Sequence, residues 1–335
     1  MSCLRKRHRA CLVALSMCAA GGGLDSTALA AEAGEFPATV TVIGQRDELL
    51  RVTVDPAKLS ITQPTTGALL RHAPGANVNF NGPLTGIGQY RGMYSFRVNT
   101  KIDGIAVEPA GPNWMDAPLH YAPMPLLESL QVQRGITPVS AGNETIGGHM
   151  HARLKTSRFS AGPEFEFRGA MNAATQTVDG GFGVGAVLGA SNDSHRFHAS
   201  GVIEEGDDTQ FSGGKIHPTE YDRKAWGLGF GFAKGEHRIG LDYRRNETGD
   251  AGTPSLPMDI RYFDADIVSG TYEGSLGSAE LSARLHYSDV THRMDNYSLR
   301  APPPDPARFR STLAESSSGG FEFGALRRFS GGQLG

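Results

Sequence analysis

Residues 126–156, LLESLQVQRGITPVSAGNETIGGHMHARLKT, divide the chain into two kinds of sequence. The stretch opens with an apolar run carrying one acid. Val132 and Arg134 lead into Gly135, a turn around Pro138 and Gly142 follows, and Gly147 and Gly148 precede a short alternating segment that ends at Lys155. Glycine takes positive φ without steric cost, so glycines spaced in this way mark tight turns between short elements. Upstream of the stretch the sequence reads as a small globular domain, and downstream as amphipathic strands.

The downstream part alternates with period two. In residues 225–232, Trp226, Leu228, Phe230 and Phe232 fall on one face and glycines on the other. Ile239, Leu241 and Tyr243 oppose Arg238, Asp242 and Arg244; Phe182, Val184, Ala186 and Leu188 share one face; and Ala279, Leu281, Ala283, Leu285 and Tyr287 oppose Glu280, Arg284 and His286. Segments of about ten residues, apolar on one face and polar on the other, are the pattern of outer-membrane β-strands. A soluble sandwich alternates similarly, so the connections decide. Residues 233–236 and 274–277 are tight turns, whereas 204–222, 247–260 and 290–314 are long and polar, and an outer-membrane barrel separates its two ends in this manner. About eight strands are expected. A sheet in lipid must close to pair its edges, and a barrel of about eight strands is filled by its own side chains, so the barrel is expected to be partial and the chain truncated.

Composition agrees with this class. The 335 residues include 44 glycines and only 39% hydrophobic residues, and barrels keep such a modest average because their strands alternate. Residues 1–30 read as a secretory signal: Arg5, Lys6, Arg7 and Arg9 precede a short apolar core, and Ala28-Leu29-Ala30 supplies a cleavage site. All three cysteines, Cys3, Cys11 and Cys18, lie within it, so the mature chain is expected to hold neither disulfides nor thiolate sites. The formal charge is -3, and about -6 once the signal's four basic residues and Asp25 are removed, which argues against a nucleic-acid partner.

Residues 31–44 form an N-terminal extension whose β-prone Thr39, Val40, Thr41, Val42 and Ile43 suit addition to a partner's sheet edge, or simply begin the next domain. Residues 45–156 read as a compact domain mixing helices and strands. Asp55-Pro56 and Thr62-Gln63-Pro64 are helix starts, 66–70 a short helix and 125–130 a second helix; 78–80, 96–98 and 101–107 are strands, with Asp103-Gly104 as a hairpin signal.

These residues resemble the TonB-dependent outer-membrane receptors. The resemblance rests on Arg91-Gly92, on the run from Ile102 through Asp103 and Gly104 to Val107, and on Arg134-Gly135 followed by Ile146-Gly147-Gly148. It implies an α+β plug domain over 45–156, followed by antiparallel transmembrane strands over 157–335 that form part of a barrel of about 22 strands. It further implies energised uptake of a scarce nutrient, foremost an iron–siderophore or other metal chelate. The partners implied are a TonB-type periplasmic coupling protein acting on residues 39–43, outer-membrane lipid, and a metal-chelate or metal-ion ligand. The sequence departs from the family at Ile136, where proline is usual, and at His149, Met150 and His151.

No enzyme constellation is present in the sequence and no cofactor is expected. Glu204-Glu205 and Asp207-Asp208 read as a solvated loop. Trp114, Met115, Asp116, His120 and Met124 lie in a Pro-rich segment that the resemblance puts at the outer apex of the plug. His149 and His151 share a strand face, and His286, His292 and Met294 flank a long loop. Thioether with imidazole is a soft donor set suited to copper, so a copper receptor using Met115, His120, Met124, His149 and His151 is one alternative; methionines that merely fill core gaps are the plainer one. Tyr90, Trp114 and Tyr121 could instead stack on an organic chelate. A non-transporting fragment that binds only the coupling partner is a further alternative.

Overall fold

The computed structural model describes residues 51–59, 64–111, 114–135, 145–329 and 332–334. The signal segment and residues 39–43 lie outside the described residues.

The N-terminal domain is built on a four-stranded sheet in the order β1 (Arg51–Val54), β5 (Leu127–Gln133), β6 (His149–Leu154), β4 (Asn99–Ile102). Only β4 and β6 run parallel. A separate hairpin joins β2 (Ala76–Phe80) to β3 (Gly86–Tyr90). Its helices, among the described residues, are short 3₁₀ turns. Pro56–Lys58 is capped by the Asp55 carboxylate, which accepts from the Ala57 N–H, and Thr66–His72 buries its apolar residues.

Three sequence expectations change here. The second helix expected at 125–130 is a 3₁₀ turn, Met124–Leu126, and the apolar run Leu127–Gln133 is drawn into the sheet between β1 and β6. Ser95–Arg97 is a 3₁₀ turn and not a strand. The strand expected at 101–107 is β4, which stops at Ile102, because Asp103 (φ 49°) and Gly104 (φ 81°) make a tight reversal in which Ile102 and Ile105 exchange both backbone hydrogen bonds. Positive φ at both central residues is the requirement of a type I′ hairpin turn. Gly147 and Gly148 are fixed by space as well: a Cβ would lie 2.3 Å from the Arg97 carbonyl oxygen at the first, and 2.3 Å from that of Gln133 at the second.

The remaining chain forms one antiparallel sheet of nine strands. They are β7 (Glu166–Thr175), β8 (Phe182–Ser191), β9 (His195–Gly206), β12 (Tyr221–Lys234), β13 (His237–Ala251), β14 (Asp259–Leu276), β15 (Ala279–Asp295), β16 (Ser311–Phe329) and the three-residue β17 (Gly332–Leu334). A small hairpin, β10 (Thr209–Phe211) with β11 (Gly214–Ile216), is inserted between β9 and β12. Turns at 192–194, 235–236 and 277–278 alternate with longer connections at 176–181, 207–220, 252–258 and 296–310. The long connections are shorter than the sequence implied, since strand pairing continues into polar residues.

The alternation resolves as expected. Trp226, Leu228 and Phe230 are exposed, while Ala225, Gly227, Gly229 and Gly231 face inward. Inward glycines make room: a Cβ on Gly229 would lie 2.0 Å from the His198 ring, and one on Gly231 2.4 Å from the Arg196 side chain. Higher on the sheet, Val187, Val202, Ala225, Ala265, Ile267 and Val290 join Tyr121, Leu126, Leu127 and Leu130 of the N-terminal domain in one buried core. Burying apolar surface on both partners holds the domain against the inner face of the sheet.

Polar contacts tie the same two parts together. Arg244 donates to Asp103 at 2.6 Å, and the other oxygen of Asp103 accepts from the Leu154 N–H at 2.9 Å. Lys101 pairs with Glu322, which also accepts from Arg284 at 3.0 Å.

Candidate functional site

The Pro-rich segment 114–124 lies at the end of the sheet that carries the long connections 252–258 and 296–310, since its residues reach Thr248 near the end of β13 and His292 near the end of β15. Proline shapes it locally: Pro118 and Pro125 sit in the first turns of Pro118–Tyr121 and Met124–Leu126, where a missing N–H costs nothing. Asp116, fully buried, closes it by accepting from the N–H groups of Ala110 (2.7 Å) and Gly111 (2.8 Å) and from the Tyr121 hydroxyl (3.1 Å). Burial, reinforced by the Asp116 carboxylate, pushes the Tyr121 hydroxyl well above its ordinary range, so it stays protonated and donates.

His120 is buried and committed. Its Nδ1 lies 3.2 Å from the Leu84 carbonyl oxygen and its Nε2 2.8 Å from the Thr248 hydroxyl. A carbonyl can only accept, so Nδ1 carries the proton and Nε2 accepts from Thr248. Burial first, then the Arg223 guanidinium, lower its pKa to about 3, and the ring is neutral. The carbonyl of His120 accepts from Arg223 at 3.0 Å. Arg223 also donates to the Pro64 carbonyl and pairs with Glu204, both side chains being buried. The sequence expectation that Glu204 belongs to a solvated loop is therefore corrected: strand pairing continues through it, and its inward carboxylate neutralises Arg223.

His292 is different. It is 1% exposed, yet among the described residues neither ring nitrogen has a hydrogen-bond partner. Its Nδ1 lies 3.8 Å from Asp116 Oδ1, its ring meets Phe263 edge-on at 3.9 Å, and Gly111 packs against it so closely that a Cβ there would lie 2.2 Å from Nδ1. A buried polar group left unpaired costs roughly 1–3 kcal/mol and calls for an explanation. Two residues on, Met294 shares the inward face and is fully buried with Met115, Leu84, Ile260 and Phe263, with Met258 packed against them. Thioethers from the segment and the sheet thus gather in one cluster with Phe263, whose ring the His292 imidazole meets.

The other residues singled out in the sequence lie elsewhere or are enclosed. Met124 is half-buried against the main core rather than in the Met115 group. Tyr90 and Tyr121 are 2% and 0% exposed, and Trp114 (φ 58°) packs edge-on against Phe96 at 5.5 Å. His149 and His151 stand on β6 with ring centroids 5.9 Å apart, facing Gln133 and Gln131 on one side and Asn99 and Lys101 on the other. His151 Nε2 accepts from the Gly104 N–H at 3.0 Å, and His149 Nδ1 is buried without a partner among the described residues. Arg91 (φ 48°) and Gly92 (φ 75°) make a second reversal like that of Asp103 and Gly104, and Gly135 ends β5 at positive φ. Sequence reasoning placed Asp116 in the segment without giving it a role, and passed over Phe263, Arg223 and Met258. The period-two spacing of His292 and Met294 carries part of the signal; the role of Asp116 had little, because two of its three donors are backbone N–H groups.

A small glycine-turned domain packed on the inner face of amphipathic strands defines a plugged outer-membrane receptor fold. Residues 35–149 match the family model of the TonB-dependent Receptor Plug Domain. The chain therefore carries a plug domain of that family, followed by strands with the fold of the barrels below. Among solved structures, it is similar to the copper transporter OprC (22% identity, covering 84% of this chain and 44% of that one, TM-score 0.74). It is also similar to the ferric enterobactin receptor PfeA of Pseudomonas aeruginosa (14%, 84% and 47%, TM-score 0.65) and the siderophore receptor PirA of Acinetobacter baumannii (13%, 85% and 46%, TM-score 0.60). At these identities the likeness establishes the fold, and the chain spans less than half the length of each structure. No curated protein sequence matches it.

Proposed function

We propose that this chain acts in an outer-membrane receptor for energised metal uptake, that its cargo is copper, and that His292, Met294 and Met115 are the first donors the ion meets. The observation that carries the reading is His292, a buried imidazole whose two nitrogens have no partner among the described residues and whose ring meets the Phe263 of the buried thioether cluster. Imidazole with thioether is a soft set that favours copper over the hard ferric ion, which takes oxygen ligands. Asp116 contributes by position rather than ligation, because its oxygens are occupied by Ala110, Gly111 and Tyr121 and hold Met115 in place. The copper transporter among the similar structures supports the same cargo.

The siderophore receptors among those structures support a second reading, uptake of an iron chelate. Its best local support is the ring pair Trp114 and Phe96, the latter 79% exposed. Tyr90 and Tyr121 offer little to a stacking ligand while buried.

In both readings the signal segment directs export, a periplasmic coupling protein pairs with residues 39–43, and a pull there opens the plug. The polar ties between plug and sheet, Asp103 with Arg244 and Lys101 with Glu322, suit a part that must move while the wall holds. Copper accumulation in cells tests this. Cells expressing the protein should accumulate more copper than cells lacking it, and deleting residues 39–43 should remove the difference. Equal accumulation with and without those residues would overturn energised uptake.

A further inference from the structure

We propose that Asp208, His217 and Glu220 form a second metal site, for a divalent cation of the zinc class, at the base of the β10–β11 hairpin. One ligand atom from each residue lies within 4.8 Å of the other two. Zinc–nitrogen and zinc–oxygen bonds of about 2 Å set tetrahedral ligands roughly 3.3 Å apart, so side-chain shifts of about 1 Å close the site.

The backbone around it is already fixed. The hairpin brings Asp208 and His217, nine positions apart, to 2.8 Å between Oδ2 and Nδ1. The other oxygen of Asp208 accepts from the Thr219 N–H at 2.8 Å, and the Thr219 hydroxyl accepts from the Thr209 N–H and donates to the Ile216 carbonyl. Glu220 is anchored to the next long connection, where its carbonyl accepts from the Gly252 N–H at 2.9 Å. Asp207 adds negative charge at Glu220. Two carboxylates with one imidazole are a borderline-to-hard donor set, matched to zinc rather than to the soft ion proposed for the Met115 group. An ion here would displace the hydrogen bond between Asp208 and His217, bridge to Glu220, and staple the hairpin to the connection that follows β13.

Zinc alone, titrated into the detergent-solubilised full chain against a chromophoric chelator, tests the site. One zinc equivalent is expected, weakened at least tenfold by His217→Gln, with the unfolding midpoint and copper binding unchanged. Glu220→Gln, which keeps the Asp208–His217 hydrogen bond, is expected to weaken zinc at least tenfold as well, and it serves should His217→Gln fail to fold. Undiminished zinc binding in Glu220→Gln, or none by the unaltered protein, would overturn the proposal.

Discussion

Nδ1 of His292 on β15 lies 3.8 Å from Oδ1 of Asp116 in the plug, beyond hydrogen-bond reach although both residues are buried. Three donors, two backbone N–H groups and the Tyr121 hydroxyl, already hold the Asp116 carboxylate. The imidazole is consequently left over from an otherwise satisfied network, and a carboxylate held this firmly cannot turn to meet it without abandoning the turn at Gly111.

Below that site the plug is held by Arg223, whose guanidinium joins Glu204, His120 and Pro64. Removing one partner of a buried pair leaves an uncompensated charge, which costs about 3–5 kcal/mol. Glu204→Gln is expected to destabilise the purified protein by about 3 kcal/mol in a denaturant titration. Arg223→Met combined with Glu204→Gln should recover part of that loss; a double variant as unstable as the sum of the single ones would contradict coupling between the two.

Gly229 tests the inward alternation. A Cβ there would meet His198 at 2.0 Å and Asp242 at 2.4 Å, and overfilling a packed site costs about 1–3 kcal/mol. Gly229→Val should loosen the plug, read as faster proteolysis of residues 145–160, whereas Leu228→Ala on the outer face should leave that rate unchanged.

A pH dependence follows from β6. Burial holds the pKa of His149 and of His151 down to about 4, with smaller contributions from His151 and Lys101 on the first and from Arg153 and Arg284 on the second. An unfolded plug would take up these protons near pH 6.5. Their lowered values therefore leave stability intact above about pH 6.5 and erode it as pH falls toward 4, where the folded state binds the protons too. The protection factors of the β6 amides, which remove the intrinsic pH dependence of exchange, should fall between pH 7.5 and pH 5, and His149→Gln with His151→Gln should flatten that change. An unaltered pH slope in the double variant would show that other groups are responsible.

The large sheet was legible because alternation is a local property: Trp226, Leu228 and Phe230 announce their face without reference to any partner. The turns at Asp103-Gly104 and Gly147-Gly148 were legible for the same reason. What failed was decided at a distance. Leu127 to Gln133 carries enough leucine for a helix, and becomes a strand because β1 and β6 flank it. Glu204 looks like a loop acid until Arg223, nineteen residues away, is paired with it. The candidate site was half visible, in Met115 and in the spacing of His292 and Met294. That His120 is saturated and His292 is not depends on Leu84 and Thr248, neither of which the sequence could connect to it.

The most direct test is cuprous-ion binding by the purified chain under reducing conditions, comparing the unaltered protein with His292→Ala and Met294→Ala. The account predicts one tightly bound copper that is weakened at least tenfold by either substitution and retained by Met124→Ala, whose side chain packs with the main core. Unchanged affinity in His292→Ala, at an unchanged unfolding midpoint, would contradict it.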